Sequence, residues 1–214
     1  MPSPSEMLAH ARAFVKQELA QDSSGHDWWH IYRVTNTAVK LAETEKADVF
    51  ICELAALLHD IADEKLNSSK EAGLQKVKNW LQQNQVPEPE AEKVLEIIST
   101  MSYNGGNNLP MQSLEGQIVQ DADRLDALGA IGIGRTFAYA GHKGHLMHNP
   151  DLPPRGQMSA AEYRQSGGTA INHFYEKLLK LKSLMNTGAG REMAEKRHAF
   201  MEQFLQQFYQ EWDG

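Results

Sequence analysis

The chain has 214 residues, of which 41% are hydrophobic and 23% charged, a composition typical of a globular protein with a sizeable core. Its formal net charge of −7 argues against a general polyanion-binding surface, so we expect no nucleic-acid polymer as a partner. With a single cysteine, no secretory signal and no apolar run near the roughly 20 residues that span a bilayer, the protein is expected to be cytoplasmic and free of membranes.

Helical spacing of apolar residues predicts a series of helices in the first part of the chain. The residues expected to open them are Ser3 or Ser5, Asp27 and Asp48. The third helix is apolar along most of its length and ends at His59, which Asp60 follows directly. Ionisable groups are costly to bury unless they are paired or bound to a metal, so this pair is a candidate metal site.

The rest of the chain is also predicted to be helical. The expected ranges are a helix opened by Ser68 or Ser69 that runs through residue 81, then 91–102, a helix from 113 that continues into the small residues of 129–134, 160–185 and 189–212. A loop is expected at 104–108 and an irregular stretch at 141–156. No alternating pattern of convincing length predicts a strand. The sequence therefore predicts a single all-α domain over residues 1–214, with a core at about 26–130 and two long C-terminal helices at about 159–213.

Four possible metal ligands lie on three separate predicted helices. They are His30, His59, Asp60 and Asp123. Taken singly, His30 fits an ordinary polar residue on a helix face, and Asp123 fits a solvated acidic edge with Asp121 and Asp126. These three aspartates do not share one helical face, however, and the apolar residues between them predict that part of the helix is buried. A buried acid needs a partner, which a metal ion would supply.

Three motifs in the chain occur in the order and with the spacing of a known family. They read HDWWHIYRV, LLHDIADEK and IVQDADRLDALGAIGIGR. In these motifs the chain resembles the HD-domain metal-dependent phosphohydrolases, and specifically a subfamily of small bacterial HD hydrolases that includes nucleotide pyrophosphohydrolases. The resemblance extends through INHFYEKLLKLKSLMNTGAGR and so covers nearly the whole chain. It implies an HD-type helical bundle.

The resemblance also implies a metal centre. The ligands that it implies are His30, His59, Asp60 and Asp123, around one divalent ion that is Mn, Mg, Co, Ni or Fe. The tripeptide at 101–103, Met-Ser-Tyr, offers no histidine for a second metal ion. We therefore expect a mononuclear centre, which also argues against the di-iron oxygenases of the same superfamily.

Acidic and basic residues near these ligands are candidates for catalysis. Asp63 lies near the position where related nucleotidases carry an acid, and we propose it as the general base; a solvated loop acid is the alternative, and Asp27 is a rival for the role. Lys65 and Arg33 are candidates for stabilising negative charge on a transferred phosphoryl group. Lys65 is thus counted among both the catalytic and the substrate-binding residues.

Other residues are candidates for substrate binding. His26 is a candidate to donate to a phosphate or to orient a metal ligand. Arg124 is a further candidate, with pairing to Asp27 or Asp126 as the alternative. The tryptophans at 28–29 are candidates to stack on a nucleotide base, although packing in the core or at its rim is the favoured interpretation. The histidines at 142–148 are interpreted as part of a lid rather than a second metal site.

The function favoured by these observations is metal-dependent hydrolysis of a small phosphorylated metabolite. By the resemblance alone, the expected reaction converts a nucleoside triphosphate to a monophosphate and pyrophosphate. A nucleoside monophosphate phosphatase is the nearest alternative. A non-catalytic module that binds a metal or a nucleotide, and a helical interaction domain without a metal, are alternatives of other classes. A homo-oligomer is compatible with the sequence.

Overall fold

The structure, a computed structural model, describes residues 2–20, 27–63, 66–101, 110–156 and 168–214. Within these ranges the chain forms helices and no strand, which confirms the all-α prediction. The α-helices are α1 (Pro4–Glu18), α2 (Trp28–Glu45), α3 (Val49–Leu58), α4 (Lys70–Gln83), α5 (Glu88–Thr100), α6 (Leu114–Asp126), α7 (Gly129–His142), α8 (Ala170–Glu176) and α9 (Gly188–Asp213). No helix in the described part of the chain is both long and apolar enough to cross a bilayer.

α3 is the central helix of the core. Residues 51–58 are all buried, and the helix contacts α1, α2, α5 and α6. A helix that is apolar on all sides is stable only when other elements surround it. Cys52 is buried within it, as a small apolar residue would be. Burial, with the negative charges of Glu115 and Asp48 adding to its effect, raises the pKa of the Cys52 thiol to about 12.

A short 3-10 helix, His59–Ala62, continues directly from α3 without an intervening loop, and we call it the His-Asp helix. It is fully buried and packs against α4. The two helices approach closely at Gly73, where an added Cβ would lie 2.5 Å from the carbonyl oxygen of Ala62. The absence of a side chain at Gly73 therefore allows α4 to support the backbone that carries His59 and Asp60.

Polar side chains fix the starts of the helices, as the sequence predicts. Ser3, rather than Ser5, caps α1 in a capping box with Glu6. Asp27 and Asp48 each accept a hydrogen bond from the backbone N–H of the third residue of α2 and α3, respectively. A side chain that accepts a hydrogen bond from a first-turn N–H, which has no acceptor within the helix, stabilises the helix by about 1 kcal/mol.

The helix predicted from residue 113 through the small residues of 129–134 is divided into two. α6 ends at Asp126, and α7 begins at Gly129, whose φ of 69° is a left-handed conformation that glycine adopts readily. The close packing predicted for the small residues is present at Gly129, where a Cβ would lie 3.1 Å from the Cβ of Arg197, but not at Gly134, where no described atom would lie within 4 Å.

The prediction of two long C-terminal helices holds for α9, which has 26 residues, but the helix predicted over 160–185 is not continuous, and its residues 160–167 lie outside the described part of the chain. Its described part consists of α8 and a 3-10 helix, Leu178–Leu184, separated at Lys177 with φ −136° and ψ −61°. The leucines of this segment are spaced by three residues, and positions i and i+3 lie on one face of a 3-10 helix. Leu178 and Leu181 are thereby buried together.

The irregular stretch predicted at 141–156 has no helix after residue 142, where α7 ends. Its histidine at 148 packs edge-on against three rings of α9. The ring-centroid distances are 5.8 Å to Phe208, 5.5 Å to Tyr209 and 4.8 Å to Trp212. This contact ties the stretch to the C-terminal helix, and the lid interpretation stays a prediction.

Candidate metal centre

Three elements bring the four predicted ligands to one place. α2 carries His30 near its first turn, the His-Asp helix carries His59 and Asp60, and α6 carries Asp123. α2 packs against both α3 and α6, so the side chains on their facing sides converge. His30, His59 and Asp60 each offer one possible metal-ligand atom, and these three atoms lie within 4.8 Å of one another. The three residues therefore form a possible metal site.

The distances among the four side chains suit a shared cation. His30 Nε2 lies 3.5 Å from Asp60 Oδ2 and 3.5 Å from Asp123 Oδ1. His59 Nε2 lies 3.2 Å from Asp60 Oδ1 and 3.9 Å from Asp123 Oδ1. The Asp123 side chain is 39% exposed, whereas the other three are largely buried, so the cluster is open to solvent on the Asp123 side.

His59 provides the observation that tests whether a cation fits. Its Nδ1 lies 2.8 Å from the carbonyl oxygen of Ala56, which can only accept a hydrogen bond. Its Nε2 is buried, directed toward the carboxylates, and makes no hydrogen bond to the described part of the chain. Burial lowers the pKa of His59, but the negative charges of Asp60 and Asp123 outweigh this and leave it raised. A buried nitrogen lone pair facing two acids fits a divalent ion.

A second carboxylate, that of Asp126, lies behind His30. His30 Nδ1 is 2.8 Å from Asp126 Oδ2, and Arg33 donates from Nε and Nη2 at 2.7 and 2.9 Å. Arg135 of α7 donates from Nη1 to Asp126 Oδ2 at 2.9 Å. Burial raises the pKa of Asp126, but the hydrogen bonds from His30 and Arg33 outweigh it and hold this pKa well below its usual range.

The sequence did not indicate these roles of Asp126 and Arg135. Asp126 appeared only as one of three aspartates and as an alternative partner of Arg124, and Arg135 only as a letter in a motif. The available signal was the spacing of three residues between Asp123 and Asp126, which puts both on neighbouring parts of one helix. Nothing local in the sequence identifies Arg135 as their neighbour.

The third aspartate of α6 has a different environment. Asp121 is fully buried and accepts hydrogen bonds from the backbone N–H groups of Asn186 and Thr187, and from their side chains. Gly190 lies against it, because a Cβ there would be 2.5 Å from Asp121 Oδ2. Asp121 therefore fastens the start of α9 to α6, and the three aspartates point to three different places, as their spacing predicts.

The two candidate bases each lie three residues from a proposed ligand in the chain. Asp27 caps α2, where its Oδ1 accepts from the backbone N–H of His30 at 2.9 Å. Asp63 ends the His-Asp helix and is partly exposed, and its backbone N–H donates to the carbonyl oxygen of Asp60 at 3.0 Å. The general base stays a prediction, in which Asp27 also caps α2 and Asp63 follows the adjacent proposed ligands His59 and Asp60.

The predicted cationic residues divide into those the structure describes and those it does not. Arg33 donates two hydrogen bonds to the carboxylate of Asp126. Arg124 donates from Nη1 to the carbonyl oxygen of Leu184, on the side of α6 toward the C-terminal elements. His26 and Lys65 lie outside the described residues. Substrate binding by any of the four stays a prediction.

The adjacent tryptophans differ in environment. Trp28 is half-buried against the core, and Lys16 Nζ lies over its ring at 4.6 Å, as the packing interpretation predicts. Trp29 is 60% exposed, and its ring lies edge-on to another exposed aromatic ring, that of Tyr32, at a centroid distance of 5.8 Å. Packing against the described core therefore accounts for Trp28 and leaves most of Trp29 exposed.

Known proteins share this fold. The profile of the HD domain family matches residues 28–128, a range that includes all four predicted ligands. A solved structure from Bacillus thuringiensis, described as an HD-superfamily hydrolase, is 51% identical, has a TM-score of 0.80, and is matched over 99% of this chain and 100% of that chain. This chain belongs to the HD superfamily of hydrolases.

Another relative of this HD protein has been crystallised with a ligand. Bacillus subtilis YpgQ is 42% identical over 205 residues, which are 95% of this chain and 92% of YpgQ. A crystal structure of YpgQ in complex with ADP has a TM-score of 0.79 at 39% identity, over 97% of this chain and 96% of that chain.

The HD domain match ends at residue 128, before α7 and the C-terminal elements begin. Those elements nevertheless supply partners to α6 of this HD protein. Arg135 reaches Asp126, and the residues that precede α9 reach Asp121. The surroundings of the candidate metal centre therefore extend beyond the matched segment.

Proposed function

We propose that this protein is a nucleotide pyrophosphohydrolase, which hydrolyses a nucleoside triphosphate to a monophosphate and pyrophosphate with one divalent ion. The observation that carries the proposal is the convergence of two imidazoles and two carboxylates, with the buried Nε2 of His59 aimed at the acids. The complex of YpgQ with ADP supports a nucleotide as the ligand of this chain as well.

The donor set accounts for the choice of chemistry. We propose His30, His59, Asp60 and Asp123 as the ligands of the ion. A divalent ion bound there would polarise a phosphoryl oxygen and lower the pKa of a bound water toward ~7. Carboxylates and imidazoles together accept Mn, Mg, Co, Ni or Fe, so the donor set leaves the identity of the ion open.

The chain's own residues supply proton transfer and charge. In the proposed reaction a water oxygen bonds to the α-phosphorus, the bond from that phosphorus to the bridging oxygen breaks, and pyrophosphate leaves with the electron pair. Asp63 accepts the proton of the attacking water, with Asp27 as the rival. Lys65, His26, Arg33 and Arg124 are the proposed contacts for the phosphates, whose negative charge requires cationic or hydrogen-bonding partners.

A substrate screen tests the proposal directly. The purified protein is incubated with nucleoside triphosphates, diphosphates, monophosphates and sugar phosphates, each with Mn²⁺, Mg²⁺, Co²⁺, Ni²⁺ and Fe²⁺. Release of pyrophosphate from a triphosphate is the expected result. Release of inorganic phosphate from a monophosphate would instead identify the phosphatase alternative, and metal binding without release of either product would identify a regulatory module.

Substitution of the ligands tests the site. We expect His59→Ala and Asp60→Ala each to abolish both metal content and hydrolysis, because each removes a donor and leaves a buried site of unbalanced charge. His10→Ala is the matched control, since His10 is an exposed histidine of α1 that contacts Asn84. Full metal occupancy in either ligand variant would remove the assignment.

A further inference from the structure

Both histidines of the proposed centre hold one ring nitrogen toward a hydrogen-bond acceptor and the other toward the carboxylates. His59 uses the carbonyl oxygen of Ala56 for Nδ1, and His30 uses the carboxylate of Asp126. A carbonyl and an ionised carboxylate can accept a hydrogen bond but cannot donate one. Each ring therefore carries a proton on Nδ1, which leaves Nε2 as the nitrogen through which each ring would bind a metal.

We propose that Asp126 is a positioning residue of the metal centre, which fixes His30 in the tautomer that presents Nε2 to the ion, and that Arg33 and Arg135 hold Asp126 in place. The proposal rests on the proposed function only in taking His30 as a ligand. A carboxylate behind a ligating histidine also makes that histidine a stronger donor.

The contacts of Asp126 leave its carboxylate little freedom. Arg33 approaches through two nitrogens, Nε and Nη2, and so fixes the plane of the group, while Arg135 and His30 share Oδ2. Only 4% of the residue is exposed, so water contributes little to its solvation. The orientation of His30 is therefore set jointly by three helices, α2, α6 and α7.

This arrangement gives Arg33 and Arg135 a role that does not require contact with substrate. A guanidinium paired with a buried carboxylate through two hydrogen bonds is held in one geometry. Arg135 lies beyond the segment that matches the HD domain. It nevertheless donates a hydrogen bond to Asp126, which is itself hydrogen-bonded to the proposed ligand His30. Loss of Arg135 should therefore weaken metal binding although no ligand is altered.

The test compares Asp126→Asn with Glu176→Gln in the full chain. Glu176 is also 4% exposed and also accepts from Nε and Nη2 of one arginine, Arg155, at 3.0 and 2.8 Å, but it belongs to α8 and is not hydrogen-bonded to any of the four proposed ligands. Both variants should lower thermal stability. Only Asp126→Asn should weaken Mn²⁺ binding, by about 10- to 100-fold. The amide of asparagine can donate a hydrogen bond to Nδ1 of His30, which favours the His30 tautomer that carries its proton on Nε2.

The tautomer is read from the imidazole ¹⁵N shifts of the metal-free protein, with the His30 signals assigned by their loss in His30→Asn. We expect an Nδ1-protonated His30 in the wild type and a shift toward the Nε2-protonated form in Asp126→Asn. This measurement needs neither metal nor substrate, so it tests the positioning role even if no hydrolysis is found. Metal binding without hydrolysis would contradict the proposed function alone, whereas a wild type that bound none of the metals would contradict both proposals.

Arg135 provides a second pair of variants if Asp126→Asn fails to fold. Arg135→Gln should weaken Mn²⁺ binding, and Arg135→Lys, which keeps the positive charge, should recover part of it. The proposal is overturned if Asp126→Asn keeps both the tautomer and an Mn²⁺ affinity within twofold of the wild type. It is equally overturned if Arg135→Gln loses stability with no change in Mn²⁺ affinity.

Discussion

Side-chain direction, rather than residue type, sets the role of each aspartate in α6. Asp121 accepts from the segment before α9, Asp123 faces the two histidines, and Asp126 faces His30 and two arginines. Successive residues of a helix are rotated by about 100°, so three acids within six positions reach three different neighbours. Only one of the three is a proposed ligand.

At the same scale, the identity of the general base is open to a direct comparison. We expect Asp63→Asn to keep the metal and to slow turnover by roughly 10²-fold or more, because it removes a proton acceptor at nearly constant size. Asp27→Asn tests the rival base, since asparagine caps a helix about as well as aspartate and should leave the fold intact. Single-turnover kinetics and metal analysis measure both. Unchanged kinetics in Asp63→Asn would transfer the role to Asp27 or to no side chain.

The proposed nucleotide substrate gives the exposed Trp29 a testable role. Stacking of a base on an aromatic ring contributes about 1–3 kcal/mol, so Trp29→Ala should raise KM for ATP about tenfold and leave kcat nearly unchanged. Phe200, another exposed aromatic residue on α9, supplies the control Phe200→Ala. Inhibition by pyrophosphate, which has no base, should be the same in the wild type and Trp29→Ala. An equal loss of pyrophosphate affinity would exclude stacking as the cause.

At the scale of elements, the placement of the His-Asp helix depends on its contact with α4. Gly73→Ala would put a Cβ 2.5 Å from the Ala62 carbonyl oxygen, so one of the two backbones must shift. We expect a loss of stability of about 1–3 kcal/mol together with weaker metal binding. Denaturant unfolding and Mn²⁺ titration provide the two measurements.

A second helical glycine serves as the control for Gly73. A Cβ at Gly134, within α7, would have no atom within 4 Å, so Gly134→Ala should leave metal binding unchanged and raise stability by roughly 0.5–1 kcal/mol. Equal metal affinity in Gly73→Ala and Gly134→Ala would contradict the supporting role of α4.

α8 carries a histidine that should make the protein sensitive to acid. Burial, reinforced by the positive charge of Lys177, lowers the pKa of His173 from 6.5 to about 4. Between these values the unfolded chain binds a proton that the folded chain does not, so stability falls as the pH falls through this window, by up to about 1.4 kcal/mol per pH unit. We expect His173→Asn to lose less stability than the wild type between pH 7 and pH 5 in urea unfolding.

Glu176, a neighbour of His173, also makes the folded protein less stable as the pH falls further. Burial raises the pKa of Glu176, but the hydrogen bonds from Arg155 outweigh it and leave the pKa lowered, so its contribution is lost on further acidification. The exposed His10 supplies the control His10→Asn for a general histidine effect. A stability change between pH 7 and pH 5 in His173→Asn that matched the wild type would refute this role of His173.

At the scale of the whole molecule, the segment that matches the HD domain is completed by the elements C-terminal to it. Truncation after residue 128 would remove Asn186 and Thr187, which donate to Asp121, and Arg135, which donates to Asp126. It would also uncover the faces of α2 and α6 against which α9 packs. Carboxylates buried without their partners are strongly destabilising. We expect chain 1–128 to show no cooperative thermal transition and no Mn²⁺ binding.

The truncation also tests the prediction that the whole chain is one domain. Circular dichroism during heating and Mn²⁺ titration of chain 1–128, beside the full chain, provide the comparison. A cooperative transition with full Mn²⁺ affinity in chain 1–128 would mean that the C-terminal elements form a separate unit. That result would also contradict the proposed effect of Arg135 on the metal centre.

The sequence by itself determined the helical class, most helix starts and the four side chains that converge. Each of these is encoded locally, as apolar spacing, as capping residues such as Ser3, Asp27 and Asp48, or as motifs in a fixed order. The helix division at Gly129 and the 3-10 segment after α8 were not predicted, because small residues and regularly spaced leucines fit a continuous α-helix equally well.

The tertiary structure alone decided which partner each polar side chain has. His30 and Asp126 are 96 positions apart, Asn186 is 65 positions from Asp121, and Arg124 meets a carbonyl oxygen 60 positions away. No spacing rule reaches across such separations, since the pairing depends on how helices pack and on which way each side chain leaves its helix. Sequence periodicity assigns a residue to a face, and only the packing of the helices assigns that face a neighbour.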